Sequence, residues 1–181
     1  FLAGALSADV CLVNVGELEA RHAVKLMFNP EAARPLNYEG VSTIMFLNPE
    51  VAGVGMNEKQ ALKQGLNYRV ATMPYEYIAR AICQRNTNGF IKILVTDDDE
   101  MRIIGMRAVG SHASSLIQAC ALLIQTGRGI AELAELIHPH PSITEGIQEC
   151  ARMFLGKSIM RPEVFRGRIR CHRVVDGVCM D

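Results

Sequence analysis

Apolar residues recur at helical spacing over 13–28, and the pattern stops at Asn29-Pro30, a pair that ends helices. A stretch of Pro, Asn and Gly over 30–40 reads as a linker. The period then shortens. Val41-Ser42-Thr43-Ile44-Met45-Phe46 is β-branched and strand-like, and 68–75 alternates. Between them Gly53 and Gly55 mark a tight passage, followed by a helix opening at Asn57 or Glu58. A short helix is predicted over 78–84. Residues 90–96 and 102–109 read as two strands of a hairpin around the acidic tip Asp97-Asp98-Asp99-Glu100. The helical period returns over 111–126, capped by Ser111 and stopped at Gly127, over 130–136, and over 142–154. In the last of these Ile143, Ile147, Cys150, Ala151 and Phe154 share one face.

This order predicts an α+β fold. About four antiparallel strands (41–46, 68–75, 90–96 and 102–109) form one sheet, and helices 111–126 and 142–155 cover one face of it. The central hairpin argues for antiparallel order over a parallel βαβ repeat. Residues 156–181 are locally basic. They contain Asp176-Gly177 between apolar residues, a small-hairpin signal.

Composition narrows the classes. Apolar residues make up 49% of the chain, enough for a core, and the net charge is zero, which points to no nucleic-acid partner. No apolar run reaches the length of a membrane span. The six cysteines are scattered without a CxxC pair, which fits a reducing compartment. Cys83, Cys120 and Cys150 fall in apolar helical patterns and are expected to be buried. The acidic run at 97–100 lacks the glycine and distal glutamate of a calcium loop, so a solvated turn is favoured over a metal site. His22 reads as structural, and His112 as a surface or cap residue.

The densest chemistry is His138-Pro139-His140-Pro141-Ser142-Ile143-Thr144-Glu145. Pro141 suits a loop-to-helix junction. His140 precedes that junction and Glu145 lies one turn inside, within reach of the imidazole. A carboxylate that accepts from one ring nitrogen fixes the tautomer and leaves the other nitrogen to trade protons. Ser142-x-x-Glu145 is equally a capping box, in which Glu145 only satisfies the Ser142 backbone N–H. Spacing leaves both readings open.

The stretch resembles the C-terminal signature of the FAD-dependent pyridine nucleotide-disulfide oxidoreductases, the family that includes dihydrolipoamide dehydrogenase. Three further segments resemble that family in family order. They are Asn48-Pro49-Glu50-Val51-Ala52-Gly53-Val54-Gly55, Gly89-Phe90-Ile91-Lys92-Ile93 and Ile104-Gly105-Met106-Arg107-Ala108-Val109-Gly110. The resemblance implies a dimerisation domain over 41–155, preceded by the end of an FAD domain and a linker over 1–40 and followed by a C-terminal extension over 156–181. Phe1-Leu2-Ala3-Gly4 resembles the close of the last flavin-domain strand. Ala5 departs from the family's usual aspartate, and Asp9 is the nearby candidate to replace it.

By the same resemblance His140 is the acid/base that serves the partner subunit's active site, and Glu145 orients it. Val13 and Asn14, at a helix N-terminus facing the flavin, and Pro141 are cofactor-binding. The chain contains neither G-x-G-x-x-G nor C-x-x-x-x-C and begins without Met. It therefore reads as a C-terminal fragment of a longer, cytoplasmic enzyme. FAD and NAD(P) belong to the full-length protein, and none is expected to bind here. The expected partners are a second copy and the parent's FAD and nucleotide domains. The alternative is a dimerisation or binding module without chemistry. Some relatives carry a C-terminal thiol pair, but Cys171 and Cys179 are too widely spaced to match it and read as incidental to a hairpin.

Overall fold

The computed structural model describes residues 10–32, 34–165 and 167–180. Phe1-Leu2-Ala3-Gly4, Ala5 and Asp9 lie outside them. Two compact units divide between Val41 and Ser42.

The first unit carries helix α1, Val13–Phe28, as its apolar spacing predicts. Val15 and Glu19 are its buried residues. The Tyr38 hydroxyl donates to Glu19 Oε1 at 3.1 Å, so the returning linker is tied to the helix.

The second unit is built on one antiparallel sheet. Its strands are β1 (Ser42–Met45), β2 (Glu50–Gly55), β3 (Tyr68–Pro74), β4 (Phe90–Thr96), β5 (Ile103–Gly110), β6 (Arg170–Val175) and β7 (Val178–Met180). They lie in the order β1-β2-β5-β4-β3-β6-β7. The α+β class and antiparallel order agree with the sequence, but among the described residues the sheet has seven strands rather than about four. The tight passage at Gly53 and Gly55 is itself strand β2. Glycine weakens a strand pattern, yet Gly55 is required: it stands at φ 62°, and a Cβ there would run into the Ile104 carbonyl oxygen.

Strand alternation sorts the core. Ala52, Val54, Ala71, Met73, Ile91, Ile93, Met106 and Ala108 face α4 (Ala113–Thr126), α5 (Ala131–Glu135) and α6 (Glu145–Phe154) in the main cluster. Tyr68, Val70, Leu94 and Val174 form a smaller cluster on the other face, under Ala61 of α2 (Glu58–Lys63). The helices 111–126 and 142–155 thus cover one face, as expected. Both start later than predicted. Ser111 does not cap α4. His112, exposed and at φ 59°, is the residue before it, and Glu50 Oε2 takes the Ser114 N–H and hydroxyl instead. Helix α3 (Ala79–Cys83) turns only Ala81 inward, so Cys83 is exposed, contrary to expectation, while Cys120 and Cys150 are buried.

The acidic tip is a turn clasped by its neighbours. Asp97 accepts from Arg69 Nε of β3 and Arg173 Nε of β6, each at 2.8 Å. Asp98 accepts from the Thr96 hydroxyl and the Met101 N–H. The 174–179 hairpin forms, and β6 pairs with β3 so that Arg173 stands opposite Arg69.

Candidate active site

The site is made at the head of α6. Helix α6 begins at Glu145, not at Ser142, because Ile143 and Thr144 form a turn ahead of it. A carboxylate in the first turn suits the positive end of the helix. Glu145 uses both of its oxygens. Oε1 meets His140 Nδ1 at 2.8 Å and Oε2 accepts from the Ser142 N–H at 2.8 Å. The contact that the proton-handling reading needs and the contact that the capping reading needs are therefore made by the same carboxylate. The box is half-built, since the Ser142 hydroxyl lies 2.8 Å from Thr144 Oγ1.

Burial pushes the Glu145 carboxyl up, but the Ser142 N–H and the His140 ring outweigh it and hold its pKa below the ordinary 4.5. An ionised carboxylate only accepts, so His140 Nδ1 carries the proton. The His140 side chain is 71% exposed, and Pro141 beside it is exposed too.

The segment leading to His140 is anchored from α6 and from its own second histidine. Gln148 Nε2 donates to the Ala134 carbonyl at 3.0 Å and the Leu136 carbonyl at 2.7 Å. His138 bonds the Leu133 carbonyl, while its Nε2 is buried without a partner among the described residues; burial lowers its pKa. Gly146 lets α6 sit close on its neighbours. A Cβ there would lie 2.6 Å from the Ile78 and Ile91 Cδ1 atoms. The role of Gln148 was not read from the sequence. Its signal was a polar residue amid Ile147, Cys150 and Ala151 on a helix whose other side must face solvent.

Val13 and Asn14 belong to the first unit. They are exposed in the first turn of α1, which has no side-chain cap and no acidic residue. Its leading N–H groups point outward with the helix's positive end, a fit for an electronegative cofactor atom. Cys171 faces the main core, where burial raises its pKa to about 11. Cys179 pairs in register with Val174, whose side chain lies on the opposite sheet face, so the two thiols do not form a pair. Among the described residues no helix is long and apolar enough to cross a membrane.

Known proteins match this arrangement. The model of the pyridine nucleotide-disulphide oxidoreductase dimerisation domain matches residues 41–151. The chain is 29% identical over 161 residues to dihydrolipoyl dehydrogenase 3 of Haloarcula marismortui, covering 89% of the chain and 33% of that protein. It is 35% identical over 127 residues to the dihydrolipoyl dehydrogenase of Staphylococcus aureus, covering 70% and 27%. LpdA from Mycobacterium tuberculosis superposes with a TM-score of 0.77 at 28% identity, over 84% of the chain and 33% of that structure. The chain thus spans about a third of the length of the relatives it matches. Sheet and matched segment agree: the chain belongs to the pyridine nucleotide-disulphide oxidoreductase family and carries its dimerisation domain.

Proposed function

We propose that this chain works within a flavin-dependent disulfide oxidoreductase of the dihydrolipoyl dehydrogenase kind, as a two-fold dimer in the cytoplasm, and that His140 and Glu145 serve the active site of the partner subunit. The carrying observation is the 2.8 Å contact between His140 Nδ1 and Glu145 Oε1, with most of the ring left exposed. With Nδ1 protonated and held, Nε2 is the free base. It takes the proton of a substrate S–H, leaving a thiolate, and returns it in the reverse direction. Glu145 stabilises the imidazolium formed on the way. Bound FAD supplies hydride exchange between NAD(P) and the disulfide. The open N-terminus of α1, at Val13 and Asn14, would offer backbone donors to the FAD of its own chain, and Pro141, beside His140, would lie against the FAD of the partner subunit.

The test is His140→Gln in the full-length protein, with the two half-reactions measured apart. General acid/base catalysis contributes about 10²–10⁴-fold, so thiol–disulfide exchange should fall by that order. Flavin reduction by the nucleotide needs no proton from His140 and should hold. Unchanged exchange would leave a dimerisation module without chemistry.

A further inference from the structure

We infer that Gln148 is a positioning residue for the His140–Glu145 pair; the inference rests on the catalytic reading of that pair. Helix α5 spans only Ala131–Glu135, too short to persist without tertiary support. The last carbonyls of a helix lack partners within it. Gln148, itself buried, gives both of its amide hydrogens to this end of α5, one to Ala134 and one to Leu136. Three residues earlier on the same helix, Glu145 takes the Ser142 N–H. Residues three apart on a helix share a face. The segment carrying His140 is therefore tethered at Leu136 and at Ser142 to one stripe of α6.

Between the two tethers the segment has little else to fix it. Ile137 is 92% exposed and Pro139, His140 and Pro141 are exposed. Only His138 reaches inward, to the Leu133 carbonyl. Helix α6 is itself seated closely through Gly146. The two tethers thus convert a short exposed segment into a frame that brings the His140 ring to Glu145 Oε1. Without the Gln148 tether, the segment from Leu136 onward loses its hold on α6, while α5 stays packed through Leu133 and Ala134 and the sheet beneath stays folded.

Gln148→Met keeps the length and removes the donors, whereas Gln148→Lys restores donors in a different shape. On the purified chain, imidazole ¹⁵N shifts report whether His140 holds its proton on Nδ1, and sheet amide shifts report the fold. Gln148→Met should lose the Nδ1–H signature while the sheet amides stay in place, and Gln148→Lys should keep it. In the full-length protein Gln148→Met should slow thiol–disulfide exchange roughly tenfold at unchanged flavin reduction, since a 1 Å misplacement can cost about 10²-fold. A folded Gln148→Met that retains the signature overturns the inference. Should Gln148→Met not fold, Gln148→Lys decides alone: the signature kept supports it, the signature lost overturns it. The ring signature is independent of turnover. Failure of His140→Gln to affect exchange would sink the catalytic reading, and the Gln148 result would still stand or fall by itself.

Discussion

At the scale of single residues, Glu145 carries two duties on one carboxylate, and substitution can separate them. Glu145→Gln keeps an acceptor for the Ser142 N–H but loses the negative charge held 2.8 Å from His140 Nδ1. Thiol–disulfide exchange in the full-length protein should drop, by less than His140→Gln causes, while thermal stability falls only by the part that the charge contributes. A silent Glu145→Gln would reduce the residue to a cap. Its pH dependence has a definite sign. The folded-state pKa lies below the ordinary 4.5, so the contact contributes stability that is fully present above about pH 4.5 and is lost as pH falls through the lower folded value. The Ser142 amide shift, followed by NMR, should therefore titrate below pH 4.5; a midpoint above it would contradict the arrangement. The His140–Glu145 contact was readable because its partners lie five positions apart. Gln148 was not, since its acceptors are backbone carbonyls of α5, 14 and 12 positions away, which no side-chain pattern marks. A still larger separation hid the cap of α4, where Glu50 reaches Ser114 across 64 positions.

At the scale of elements, strands β3, β4 and β5 were legible because Val, Ile and Thr alternate in them or run between turns. Strand β2 was not, because Gly53 and Gly55 mimic a loop and only tertiary packing shows why Gly55 is needed. Strand β6 was masked by Arg170 and Arg173, charges that a sequence reads as solvated. In the fold Arg173 has a partner: with Arg69 it closes on Asp97, whose side chain is 4% exposed. Burial raises the Asp97 carboxyl, and the hydrogen bonds from Arg69 and Arg173 outweigh that and hold its pKa below 3.8. Breaking a fully buried pair costs about 3–5 kcal/mol. Both arginines are partly solvated here, so Asp97→Asn should cost about 2 kcal/mol in urea unfolding, within the range of charged hydrogen bonds. The wild-type advantage should fade as pH drops through the lowered Asp97 pKa. An Asp97→Asn chain as stable as wild type at pH 7 would show that β6 is held by backbone pairing alone.

At the scale of the whole molecule, the family match makes self-association the central expectation. Sedimentation equilibrium should find a two-fold dimer, with an isologous interface of more than roughly 1,200 Å²; a monomer at high micromolar concentration would argue against it. The distribution of thiols offers a different use of the fold. Cys11, Cys83 and Cys179 are exposed, whereas Cys120 of α4, Cys150 of α6 and Cys171 of β6 pack in or against the main core. Burial raises the pKa of Cys120 to about 12 and that of Cys171 to about 11, and that of Cys150 well above its usual value, so little reactive thiolate exists there. Pulsed alkylation followed by mass spectrometry should label three cysteines at once and the other three only when their own element opens. Equal labelling rates at all six would contradict this packing. Each of those three elements carries its own built-in clock, so detachment of the tail strand β6 and loosening of helix α6 can be timed separately in the same native sample.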